Sequence, residues 1–270
     1  MTKAYLFVFL TFFSLINNSN DLFAQFSHKE NESTALYSDT LEAAHYGIYL
    51  TDINLTDKTI EGYTEARLVS KISSLSEIKL ELASLIVDSV FIGPTKTTSF
   101  NHIDNVLTIS LFSLMYAGDT VKTKIYYHGQ PFVDPSGWGG FHFSGDYALN
   151  LGVGFDAIPH NLGKAWFPCI DDFQDRALYD VYLTVPNNKK AVSGGNLVDI
   201  TDHGNNTSTW HWKTDFTLPT YLISATTGPY ELVSDSYDGL LSTIPITYYC
   251  RAIDTAKVAG TFVNMKNIMQ

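Results

Sequence analysis

Three aspartates set close together, Asp171, Asp172 and Asp175, come nearest to a catalytic or metal-binding group in this chain. A pair of carboxylates can divide acid and base roles, and three can hold a hard cation. Carboxylates this close, flanking a turn, more often cap backbone N–H groups or face solvent, and that reading is preferred. The other constellations fail on spacing. No two of the histidines fall four residues apart, so a helix-borne His-Glu-x-x-His zinc pair is absent. Ser193-Gly194-Gly195 lacks the strand–turn–helix setting of a nucleophile elbow. Gly152-Val153-Gly154 lacks the third glycine and the following helix of a phosphate cradle. His211, between Trp210 and Trp212 on a strand, points away from both and reads as a satisfied or surface histidine. Cys169 has no base beside it in sequence and lies in an aromatic-rich stretch, where a buried, inert thiol is expected. The chain as it stands shows no active site.

The segments that would position these residues are strands. Tyr46, Ile48 and Leu50 alternate with Gly47 and Tyr49, and Ile78, Leu80 and Leu82 alternate with Lys79 and Glu81, the period-two signature of a half-buried strand. Further strands are expected over 60–72, 85–92, 106–111, 121–128, 178–185, 209–218, 221–233 and 244–250. Two short ones are expected on either side of Gly145-Asp146. Gly93-Pro94 and Gly118-Asp119 supply turns. About eleven strands and no helix before the end imply an all-β body. From Ala256 to Gln270, Val258, Ala259, Phe262, Met265, Ile268 and Met269 recur at three- and four-residue steps, an amphipathic helix with no terminal glycine or proline to stop it.

Residues 1–24 read as a secretory leader. Lys3 is followed by an uncharged run from Ala4 to Ile16, and Leu22-Phe23-Ala24 precedes a small-residue cleavage point before Gln25. The run is short of the ~20 residues a membrane span requires, and an uncleaved anchor is the weaker alternative. The mature chain is expected to be exported to the periplasm, cell surface or exterior. Its net charge of −11 argues against nucleic acid and anionic membranes as partners. With two cysteines, Cys169 and Cys250, far apart in sequence, a disulfide framework is not indicated.

A longer pattern spans the middle of the chain. Trp166-Phe167-Pro168-Cys169-Ile170-Asp171-Asp172-Phe173 is followed by a strand from Arg176 to Pro186 and a small-residue turn, Ala191-Val192-Ser193-Gly194-Gly195-Asn196-Leu197. Together with His45-Tyr46, Gly62, Leu218-Pro219-Thr220-Tyr221-Leu222 and Gly228-Pro229-Tyr230, this resembles the N-terminal domain of the M1 zinc aminopeptidases over about residues 43–270.

The resemblance implies a large, antiparallel, saddle-shaped β-sandwich-like domain over 42–238, after the leader and a flexible lead-in at 25–41. Residues 239–270 would then be the first strand and amphipathic helix of an α/β thermolysin-like catalytic domain. In that family the catalytic domain carries the exopeptidase loop, the zinc histidines and a glutamate ligand, none of which is in this sequence. Zinc is therefore expected only in the full-length enzyme, with no cofactor in this chain. The partners implied are the chain's own catalytic domain and peptide substrates, whose N-terminal residues would be removed. The β domain often lends an acidic or amide side chain to the substrate's α-amine, and around 155–161 the acidic residue is Asp156. Trp166, Pro168, Cys169 and Asp171 are read as fold determinants, with Asp171 accepting backbone N–H bonds. Lys164, where the family usually has arginine, is also read as structural. Two alternatives stay open: a secreted β-sandwich module that binds glycan or protein through exposed aromatics, and an inactive truncated relative.

Overall fold

The computed structural model describes residues 37–270. The expected leader, and all of the lead-in before Tyr37, lie outside the described residues. Tyr37–Gln270 form one compact unit.

Alternation builds the main sheet. In β1 (Leu41–Asn54) the side chains of Tyr46, Ile48 and Leu50 are fully buried, and in β2 (Thr59–Ser70) Ile60, Ala66 and Leu68 are buried while Glu61, Glu65 and Arg67 face out. A one-residue slip would exchange these faces, so burial fixes the register. Four longer partners are β4 (Ile86–Ile92), β8 (Thr120–Gly129), β11 (Leu178–Pro186) and β14 (Thr207–Lys213). The edges are β5 (Thr95–Thr97) and β13 (Asn196–Asp202). The eight strands run in the order β13-β14-β11-β1-β2-β8-β4-β5. Pairing is antiparallel except between β1 and β11, which lie parallel with Ile48 opposite Val181.

A three-stranded sheet, β3 (Leu75–Glu81), β7 (Val106–Met115) and β6 (Phe100–Ile103), shares the same hydrophobic core through Ile78, Leu80, Leu107 and Ile109. A four-stranded sheet contains β9 (Gly140–Ser144), β10 (Tyr147–Leu151), β12 (Lys190–Ser193) and β15 (Ala225–Gly228). A hairpin of β16 (Tyr230–Asp238) and β17 (Thr243–Arg251) follows, and the boundary expected at residue 238 falls at its turn. The fold is the expected all-β architecture.

Several elements differ from their expected form. β5, β6, β12 and β13 were not expected, being short or, for β13, exposed at every position and so without a buried face to mark it. The strand expected over 209–218 stops at Lys213, because Thr214 turns its N–H and hydroxyl to Tyr179. The run 221–233 divides into a 3-10 turn at Thr220–Leu222, β15 and β16, with Gly228-Pro229 ending one strand and releasing the chain to another sheet. The terminal helical stretch comprises a 3-10 segment, Ala252–Lys257, and two short α-helices, Val258–Thr261 and Met265–Ile268. Gly260 and the β-branched Thr261 and Val263 lower helix propensity at the interruption. Only Val258 is buried there, while Phe262 stacks on Tyr248 at 4.6 Å. Among the described residues no helix is long and apolar enough to cross a membrane.

Candidate functional site

The segment from Asn161 to Asp175 crosses from the four-stranded sheet to β11, and every residue from Ala165 to Asp172 is buried. Trp166 and Phe167 meet edge to face at 4.7 Å, and Phe167 does the same with Tyr46 at 5.6 Å. Aromatic packing of this kind orders a chain that has little regular secondary structure of its own. Pro168 is buried in the middle of it. Next to it Cys169 pairs with Glu81 as a two-bond antiparallel bridge, N–H to carbonyl in both directions at 2.7 and 3.1 Å. The Ile170 N–H then donates to the Tyr46 hydroxyl at 2.9 Å, which ties the segment to β1.

Polar groups complete the attachment. Asp171, 1% exposed, accepts the N–H groups of Gly163 at 3.1 Å and Lys164 at 3.2 Å, and the Thr220 hydroxyl at 2.5 Å. The Lys164 ammonium lies 2.9 Å from Glu81 and 3.6 Å from Asp171. Burial alone would lower the Lys164 ammonium, but the Asp171 and Glu81 carboxylates outweigh it and hold its pKa above the usual lysine value. Burial pushes the Glu81 carboxyl up against the opposing pull of Lys164. Gly163 leaves the room this network needs: a Cβ there would stand 2.7 Å from an Asp171 carboxylate oxygen.

Asp172 and Asp175 finish the turn into β11. Asp172 Oδ1 accepts the N–H groups of Gln174 and Asp175, and Asp175 Oδ1 accepts that of Ala43 on β1. The capping role expected of these carboxylates is what they perform, but they are buried rather than solvated, and the Oδ2 atom of each has no hydrogen-bond partner. Burial, partly opposed by the Ala43 N–H, raises the Asp175 carboxyl to about 7. Cys169 is a free, buried thiol, pushed well above its ordinary value by burial and by nearby Asp171 and Glu81. It stays protonated at neutral pH and offers no nucleophile. Cys250 is free as well. His211 is satisfied: it hydrogen-bonds Asp180 at 2.6 Å and stacks on Tyr182.

Asp156 lies on a different, exposed surface. Its loop is held from behind by buried Asp134, whose carboxylate accepts the N–H groups of Phe155, Asp156 and Ala157 at 3.2, 3.1 and 2.9 Å. The Ser136 hydroxyl donates to the same carboxylate. Burial works to raise the Asp134 carboxyl, yet these donors together hold it below its usual value. The one sequence signal for Asp134 is its place just before Pro135-Ser136-Gly137. The Asp156 side chain faces solvent beside exposed Phe155 and Ile158. Trp138 packs on Phe155 at 6.2 Å, and Phe173 meets Tyr221 at 5.3 Å. Gly152 approaches the backbone of Tyr221 so closely that a Cβ would fall 1.9 Å from the Tyr221 carbonyl oxygen. Asp156 thus presents an exposed carboxylate, able to accept from an ammonium group, between the exposed apolar side chains of Phe155 and Ile158 in sequence. Among the described residues no three His, Cys, Asp or Glu side chains could hold a metal ion. Among the described residues no donor set fits zinc.

The Peptidase M1 N-terminal domain model matches residues 42–222. An M1 zinc metallopeptidase from Deinococcus radiodurans, solved as the E323A mutant bound to Tyr-Ser-Ala, superposes with a TM-score of 0.70 at 21% identity, over 79% of this chain and 48% of that one. A Legionella pneumophila aminopeptidase A in complex with aspartic acid gives 0.69 at 14% identity, over 84% of this chain and 25% of that one. Transcription initiation factor TFIID subunit 2 from Danio rerio is 23% identical over 234 residues, which cover 72% of this chain and 20% of the relative. The Gallus gallus protein of the same name is also 23% identical. The chain therefore spans about a fifth of these curated relatives.

Proposed function

Because the chain belongs to the Peptidase M1 N-terminal domain family, we propose that it serves as the non-catalytic N-terminal module of an exported zinc aminopeptidase. The match over residues 42–222 carries the reading. In this proposal the zinc and its ligands belong to the partner domain of the same polypeptide, and no chemical step runs through the residues described here. The module's contribution is positional. The aromatic pair Trp138–Phe155 and the neighbouring exposed Ile158 supply apolar area for the catalytic domain. Asp156, on a loop braced by Asp134, accepts a hydrogen bond from the substrate's α-ammonium group. Export rests on the leader-like residues 1–24.

A second reading is favoured by one finding. The TFIID subunit 2 relatives do not carry the name of a peptidase, which fits a module that binds or assembles without hydrolysing anything. Both readings meet the same experiment. The protein encoded by the complete reading frame is assayed with aminoacyl chromogenic substrates, with and without a chelator. The aminopeptidase reading expects chelator-sensitive turnover and, for Asp156→Asn, a KM raised about tenfold at little-changed kcat, the mark of lost ground-state binding. Absence of turnover in a folded, zinc-loaded protein would overturn it in favour of the second.

A further inference from the structure

The outward face of the eight-stranded sheet carries a charge arrangement that neither reading uses. His45, Arg67 and Lys122 are direct cross-strand neighbours on β1, β2 and β8: His45 lies opposite Arg67, and Arg67 opposite Lys122. Adjacent positions on paired strands share a face, and like charges placed directly opposite destabilise a sheet. Two residues along, Glu65 and Lys124 are also opposite and form an ion pair at 3.1 Å. That pair consumes the Glu65 carboxylate beside the row. His45 is engaged by Asp180 at 2.8 Å. Arg67 and Lys122 are exposed, and among the described residues their side chains have no ion-pair or hydrogen-bond partner.

These groups line an open cavity of about 460 Å³, a size that suits a small ligand. Its wall holds three permanent cations, Arg67, Lys122 and Lys124, against one carboxylate, Glu65, in a chain whose net charge is −11. The local sign is thus opposite to that of the whole protein, and such a cleft concentrates anions from solution. Arginine offers a planar fork that meets an oxyanion with two parallel N–H bonds, while lysine adds a movable point charge. The ladder beside the cavity has no room to do this work: Tyr182, Tyr49 and Tyr63 stack face to face at 4.2 and 4.3 Å, so their ring faces are already covered.

The geometry points to an oxyanion-binding pocket between Arg67 and Lys122, which takes a small ligand bearing a carboxylate, sulfate or phosphate group. The bound anion would relieve the repulsion built into the β2–β8 pair. The proposal is independent of any peptidase activity, because the face lies on other strands than the Asp156 loop.

The purified chain, isotopically labelled, is titrated by NMR with sodium phosphate, sodium sulfate and glucuronate at constant ionic strength, with glucose as the neutral control. Saturable shifts are expected at β2 and β8 amides, with none from glucose. Arg67→Ala should weaken binding about tenfold, and Arg67→Ala with Lys122→Ala should abolish it. Both side chains are exposed, so unchanged circular dichroism is expected to confirm folding. Lys96→Ala, which removes an exposed cation outside the cavity, should leave affinity unaltered. Tightest binding of glucuronate would assign an acidic sugar and of phosphate or sulfate a free ion, and either supports the site. Shifts that do not saturate, or that persist in the double variant, would show an adventitious ion only and overturn it.

Discussion

The network around Asp171 and the open face of the eight-stranded sheet draw on the same residue types and put them to opposite ends. Around Asp171, a lysine, carboxylates and a tyrosine are turned inward, and both Asp171 oxygens are used: Asp171 takes two backbone N–H groups, a hydroxyl and part of a lysine's charge. On the sheet face, Lys124 and Glu65 neutralise each other while Arg67 and Lys122 remain unspent. The difference lies in burial. In a low-dielectric interior an unpaired charge costs several kcal/mol, so partners must be complete. At the surface water supplies the missing partner cheaply, so charge can be left over for a ligand. The same contrast separates Asp156 from Asp171: one is held only by its backbone and free at its carboxylate, the other is consumed at both oxygens.

If the inward network is structural, breaking it should produce the largest effect in the molecule. Asp171→Ala leaves the Lys164 ammonium with Glu81 alone and strands the Gly163 and Lys164 N–H groups and the Thr220 hydroxyl. A loss of about 3–5 kcal/mol is expected from removing one partner of a buried pair, measured by urea unfolding of the folded chain. A loss below about 1 kcal/mol would mean that the segment is held by Trp166 and Phe167 without help from its polar groups.

Asp175 gives the next effect, and it depends on pH. Its carboxyl is raised to about 7 from an ordinary value of 3.8, so the folded state binds this proton more tightly than the unfolded state. The stabilisation from that proton is complete below the unfolded value and is lost as pH rises from about 4 through 7. Three pKa units set an upper bound of about 4 kcal/mol on the loss. Asp175→Asn keeps an oxygen for the Ala43 N–H and removes the ionisation. The variant should therefore flatten this part of the stability–pH curve and exceed the parent protein above pH 7. Parallel curves for the two proteins would show that Asp175 ionises freely.

How much of this was readable in advance follows from the same physics. β1, β2, β3 and β11 were legible because burial on one face writes a period of two into the residues, as in Tyr46, Ile48 and Leu50. β13 was not, because an edge strand with no buried face leaves no pattern. Asp171 could be read as an acceptor of backbone N–H bonds, since an aspartate after proline at a turn has that use. Its particular donors, Gly163 and Thr220, are fixed by tertiary contact and have no local signature. The Asp134 brace was invisible for the same reason, as it joins groups 21 to 23 residues apart. The row of His45, Arg67 and Lys122 needs strand register, which one sequence does not supply.

On the sheet face, the expected effects are smaller. Tyr49 stacks between Tyr182 at 4.2 Å and Tyr63 at 4.3 Å, linking three adjacent strands. Tyr49→Leu keeps apolar bulk and removes both ring pairs, which should cost about 1–3 kcal/mol at about 0.5–1.5 for each cross-strand aromatic pair. The same change in a Tyr63→Leu background should cost less, because one pair is already gone. Additive losses would show that the rings act independently and that the ladder is only an array.

The smallest effect tests whether a surface charge that has a partner differs from one that has none. Lys124 stands 3.9 Å over the Tyr63 ring and 3.1 Å from Glu65, while Lys122, two residues away on the same face, touches neither. Lys124→Met retains the stem over the ring and removes the charge, and should cost about 0.5–1 kcal/mol in low salt, largely abolished near 1 M. Lys122→Met should be neutral or slightly stabilising, because it removes the like charge opposite Arg67. The sign of the second substitution matters more than its size. A clear loss at Lys122 would mean that its charge already has a structural partner, and then the face would hold no unspent cation for a ligand to meet.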